Sequence, residues 1–143
     1  MAIDKILQRT VSINAGAAKV WDALTNPGQI SKWLFGTKTE TDWKPGSEIR
    51  FSGSWEGRDY EDKGRILQCE TEKILEYTYW SGFSGLADEP ENYSIITFEL
   101  QETNDGTDLS LTQRNFATEE MCEHSGKNWD SSLQLMKETI ENQ

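Results

Sequence analysis

The stretch from Thr118 to about Glu141 constrains this chain more than any other. On a helical wheel centred on Trp129, the residues Cys122, Ser125, Leu133, Met136 and Ile140 all fall within about 40°. Gly126 and Ser132 flank that stripe at about 60°. Thr118 suits the N-cap, and Glu119 and Glu120 suit the positive end of the helix dipole. Such a helix is roughly 36 Å long. That is long for a chain of 143 residues, so its stripe must lie across the full width of another layer.

The residues upstream supply that layer. From Thr37 to Asn115 the apolar period is two. Ile49, Phe51, Gly53 and Trp55 alternate with Glu48, Arg50, Ser52 and Ser54. A turn near Glu56-Gly57 leads to a strand from about Tyr60 to Cys69. Leu75, Tyr77 and Tyr79 share one face of the next strand, and Ile96, Phe98 and Leu100 one face of another. Asn104-Asp105-Gly106 is a hairpin signal, followed by Thr107, Leu109, Leu111 and Gln113 on one face. Trp43-Lys44-Pro45-Gly46 reads as a tight turn. Ahead of these, Ile6–Ile13 reads as a strand and Gly16–Leu24 as a helix bearing Ala17, Val20, Trp21 and Leu24. Asn26 as N-cap and Pro27 at the first helical position start a second short helix, with Ile30, Trp33 and Leu34 on its apolar side. The expected fold is α+β in one domain over residues 1–143. A curved antiparallel sheet of about seven strands, two short helices and the long C-terminal helix would enclose a cavity.

Composition decides between order and disorder. Leu, Ile, Val and Phe make up just under a fifth of the chain, and the formal net charge is −11, values at the border of the disordered class. Six Trp, four Tyr and five Phe argue for a folded domain whose burial leans on rings. The acidic balance disfavours nucleic acid and anionic membranes as partners. No apolar run approaches the ~20 residues of a membrane span, and the N-terminus lacks a signal-peptide core, so a cytoplasmic location is expected. Cys69 and Cys122 are expected to be buried free thiols. With His124 the only histidine, no metal site and no cofactor are expected.

The segment Lys19-Val20-Trp21-Asp22-Ala23-Leu24-Thr25-Asn26-Pro27, followed by Ile30 and Trp33, resembles the N-terminal signature of the SRPBCC superfamily. This is the START and birch-allergen-like group. Within it the chain is most similar to the activator-of-heat-shock-protein-90-ATPase homologues. Trp43-Lys44-Pro45-Gly46-Ser47, Lys63-Gly64-Arg65-Ile66-Leu67, Leu75-Glu76-Tyr77-Thr78-Tyr79, Gly106-Thr107 with Leu109 and Leu111, and Asn128-Trp129 follow in the family's order. The resemblance implies a helix-grip fold closing a cavity. It also implies the stand-alone bacterial form, because the chain has no room for the separate chaperone-docking domain of eukaryotic activators.

The residues themselves nominate no catalytic group. His124 lies roughly 140° from Trp129, on the solvent side of the helix. Asp88, Glu89 and Glu91 in the Gly82–Asn92 loop read as a solvated charge run, or as a lid. The inward residues Phe51, Leu75, Tyr77, Tyr79, Ile96, Phe98, Leu111 and Gln113 on the sheet, with Ser125, Trp129, Leu133 and Met136 on the helix, compose an apolar, aromatic wall with a few polar groups. Such a wall either fills the interior or lines a small-molecule pocket. The small residues Ser125, Gly126 and Ser132 favour some empty space, although close packing or a local bend is an alternative explanation of Gly126 that needs no ligand. The expected function is therefore binding of a small hydrophobic or aromatic molecule without catalysis. The alternatives are a chaperone partner and an enzyme resembling the superfamily's polyketide cyclases and aromatases, with one cavity carboxylate as acid or base.

Overall fold

The computed structural model describes residues 3–143, with the backbone but not the side chain of Trp55. Seven strands form one antiparallel sheet: β1 (Leu7–Ile13), β2 (Lys38–Glu40), β3 (Glu48–Trp55), β4 (Arg58–Glu70), β5 (Ile74–Tyr79), β6 (Ser94–Thr103) and β7 (Gly106–Arg114). Their order across the sheet is β1-β7-β6-β5-β4-β3-β2. Helices α1 (Ala17–Thr25) and α2 (Pro27–Trp33) leave the sheet between β1 and β2, and α3 (Glu119–Glu141) ends the chain. The expected α+β helix-grip architecture is found, with element bounds within a few residues of the sequence reading. The short β2 is the one strand that the alternation did not single out. No helix among the described residues is long and apolar enough to cross a membrane.

The local signals act as their chemistry requires. The Asn26 side chain accepts a hydrogen bond from the Gly28 N–H at 3.0 Å, which caps α2. The Trp33 indole donates to the Ala23 carbonyl at 2.8 Å and ties α2 to α1. The Thr118 hydroxyl accepts from the Met121 N–H at 3.1 Å and caps α3. The tight turn lies one residue later than the sequence pattern placed it, with Ser47 N–H donating to the Lys44 carbonyl at 3.0 Å.

Two features bend the sheet. Pairing of β4 with β5 shifts register between Ile66 and Gln68, a bulge that leaves Leu67 exposed. At Gly64 the β5 backbone comes so close that a Cβ would stand 1.6 Å from the Thr78 carbonyl oxygen, so only glycine fits. The sheet thereby turns round α3. Leu133, Met136 and Ile140 of the helix share one core with Ile49, Ile66, Leu75, Phe98, Leu109 and Leu111 of the strands. Gly126 sits close against β1, where a Cβ would meet the Arg9 guanidinium at 2.9 Å and the Leu7 side chain at 3.3 Å. Both atoms are tips of flexible side chains, so this close approach favours glycine without requiring it. Both cysteines are free thiols; Cys122 is buried and Cys69 only half-buried.

Candidate functional site

The core does not extend along the whole of α3. Beside the helix's first half the two layers part, leaving a cavity of about 450 Å³ that opens to solvent. On the sheet side, β5 sends Tyr77 and Tyr79 inward, two residues apart on one face. Phe51 of β3 packs against both, at ring-centroid distances of 5.7 and 5.9 Å. Tyr60 and Asp62 project from the same face of β4, Ile96 from β6 and Gln113 from β7. Tyr60 has room because it faces Gly53, where a Cβ would stand 2.6 Å from its hydroxyl. From α3 come Ser125, Asn128, Trp129 and Ser132, and at the mouth Leu34, Phe35, Thr37 and Phe83.

A polar seam runs through this aromatic wall. The Trp129 indole N–H donates to Gln113 Oε1 at 2.9 Å, and Gln113 Nε2 donates to the Ser94 hydroxyl at 2.9 Å. Ser94 in turn donates to the Tyr79 carbonyl at 3.3 Å. The Tyr79 hydroxyl donates to Asp62 Oδ2 at 2.5 Å, while Asp62 Oδ1 accepts the Gly82 N–H at 3.0 Å. Asp62 thus joins the sheet wall to the loop that frames the mouth. Burial, reinforced by the Asp62 charge, holds the Tyr79 phenol well above its ordinary value. Burial alone does the same to Tyr77.

Seven of the twelve residues expected at a cavity line this one: Phe51, Tyr77, Tyr79, Ile96, Gln113, Ser125 and Trp129. Leu75, Phe98, Leu111, Leu133 and Met136 lie in the packed core instead. They share the inward face but sit where sheet and helix meet, and Phe98 receives the edge of Trp129 at 5.6 Å. The expected wall omitted Asp62, although Tyr60, Asp62, Gly64 and Ile66 follow strand alternation and the pattern could have exposed it. It also omitted Leu34, which the spacing had assigned to the apolar side of the second short helix, and Phe35, Thr37 and Phe83, which arrive from turns and loops and carry no periodic signal. His124 is exposed, as the wheel placed it, yet it borders the opening. Trp80 is half-buried by its own loop. Its indole donates to the Leu86 carbonyl at 3.2 Å and stacks on Tyr93. The facing of the Trp55 side chain lies outside the described residues. Asp88 pairs with Lys63 at 2.5 Å, while Glu89 and Glu91 are exposed.

A family model described as activator of Hsp90 ATPase homolog 1-like protein matches residues 14–141. The chain belongs to this family. The chain is 44% identical to a Cytophaga hutchinsonii protein of known solution structure, over 99% of this chain and 97% of that one, with a TM-score of 0.84. It shares its fold with a Mesorhizobium loti protein at 23% identity, covering 96% of this chain and 98% of that one, with a TM-score of 0.80. It likewise shares its fold with the Aha1 dimer from Colwellia psychrerythraea, at 20% identity, 96% of each chain and a TM-score of 0.75. No curated protein matches the chain.

Proposed function

We propose that this protein binds a small hydrophobic or aromatic molecule in the cavity between the sheet and the first half of α3, without transforming it. One observation carries this reading. The interior stops short of closing and leaves about 450 Å³ walled by Phe51, Tyr60, Tyr77, Tyr79 and Trp129. That volume and lining are those of a small-ligand pocket. The non-catalytic part of the reading draws on Asp62, the one carboxylate on the wall among the described residues. Both of its oxygens are engaged, by Tyr79 and by the Gly82 amide, a structural anchor's pattern. Thermal shift and native mass spectrometry against fatty acids, flavonoids and multi-ring phenols test it. A ligand that binds only the folded state raises Tm with concentration. No shift across the panel, with the interior found filled in a crystal structure, would overturn the reading.

The family description favours a second reading, partnership with an Hsp90-type ATPase. Adding the protein to such a chaperone and measuring ATP turnover tests it directly. An unchanged rate without co-elution at moderate salt removes it.

A further inference from the structure

Two hydroxyls on facing walls of the cavity bond to nothing among the described residues. Tyr77, on β5, is 5% exposed and lines the cavity. Its hydroxyl makes no hydrogen bond among the described residues, and no neighbouring charge acts on it. Ser132, on α3, is 3% exposed, lines the same cavity and likewise bonds to no described residue. The sealed side-chain atom left without a partner among the described residues is Thr39 Oγ1, so these two hydroxyls keep access to the cavity space. Tyr79 is bonded to Asp62, Tyr60 to Thr37, and Gln113 to both Ser94 and Trp129, while the remaining polar wall residues, Ser54, Ser125 and Asn128, are half-buried or exposed. Tyr77 and Ser132 are therefore the buried groups left to meet a polar atom brought in from outside.

The charge on the wall narrows the choice further. Asp62 supplies a buried carboxylate, and no Lys or Arg lines the cavity among the described residues. Arg58 stays at the mouth, over the Phe83 ring at 4.9 Å from its centroid, and His124 is an exposed rim residue. A carboxylate drawn inside would lose its water, face Asp62 and find no buried cation to pair with.

Resting on the ligand-binding reading above, we propose that the cavity takes uncharged ring-bearing molecules with a hydroxyl or carbonyl oxygen bonded by Tyr77 and Ser132, and turns away carboxylates. Naphthalene, 2-naphthol and 2-naphthoate share one frame and differ at one position. Their binding to the full chain is followed by the Trp129 indole N–H resonance, which belongs to the wall. The expected result is that 2-naphthol binds about fivefold to tenfold more tightly than naphthalene, and 2-naphthoate more weakly than either. Tyr77→Phe should abolish the preference for 2-naphthol, bringing the ratio of the two Kd values to about one. Asp62→Asn should strengthen 2-naphthoate relative to naphthalene. If that variant does not fold, the wild-type ranking and Tyr77→Phe decide. Naphthalene binding with no preference for 2-naphthol, or 2-naphthoate binding as tightly as 2-naphthol, overturns this proposal alone. If none of the three binds, this proposal falls, and the wider panel of fatty acids, flavonoids and multi-ring phenols decides the ligand-binding reading.

Discussion

Individual residues show where packing was given up for access. Phe35 takes a positive φ of 53°, unusual for a bulky side chain, and holds its ring 56% exposed at the cavity mouth. The left-handed conformation costs a non-glycine residue roughly 1–2 kcal/mol, and glycine's freer unfolded chain returns part of what relief would gain. Phe35→Gly should therefore leave stability within about 1 kcal/mol of wild type by denaturant titration, yet weaken binding of ring-bearing ligands severalfold. Gly64 is the opposite case. A methyl group there collides with the Thr78 carbonyl at 1.6 Å, and backbone cannot swing aside as a side-chain tip can. Gly64→Ala should cost at least about 3 kcal/mol, or abolish folding. Tyr77 sets an alkaline limit. Its folded-state phenol is held above its ordinary value near 10, so above that pH the unfolded chain releases a proton that the folded chain keeps. Stability is full below about pH 10 and falls above it, by up to about 1.4 kcal/mol per pH unit from this group. Melts between about pH 8 and pH 11 should show the decline, with a shallower slope in Tyr77→Phe.

At the scale of elements, α3 serves two ends. Its second half, with Leu133, Met136 and Ile140, is buried in the common core, while its first half borders the cavity. Truncation should reveal the division. Met136→Ala should lose about 2–5 kcal/mol, measured by chemical denaturation. Ser125→Ala, near the mouth, should change stability by no more than about 0.5 kcal/mol. This helix was also the most legible part of the sequence, because one stripe over six turns has few readings and Thr118 marks its start. The strands were legible for a related reason: one buried face forces alternation, from Leu75 to Tyr79 and from Thr107 to Gln113. The boundary between core and cavity was not. Leu75, Tyr77 and Tyr79 present the same alternation, although the first is core and the other two line the opening. Periodicity reports which face a residue occupies and nothing about how far the opposing layer stands from it. Asp62 was readable from its alternation with Tyr60, Gly64 and Ile66, but a search for hydrophobic faces passes over a polar residue; Phe35 and Phe83 were hidden because irregular segments have no pattern to read.

For the whole molecule, the charge of −11 is the dominant long-range term. The ion pairs of the surface, such as Lys5–Glu119 and Arg50–Glu48, are exposed and contribute little each. The excess of acidic groups repels itself, and this opposes compaction. Raising ionic strength from roughly 0.01 M to roughly 0.15 M shortens the Debye length from about 30 Å to about 8 Å. Tm should therefore rise with salt, as read by calorimetry; a fall would mean that the ion pairs outweigh the repulsion. The shortage of aliphatic residues, which put the chain near the disordered class, has its place in the same picture. Along the inward face of β5 the core passes into the cavity without a change of strand, of face or of spacing. The pocket is thus an unfinished stretch of interior. A molecule lodged there would act as a side chain that the gene does not encode, supplied by the surroundings and exchanged for another without a mutation.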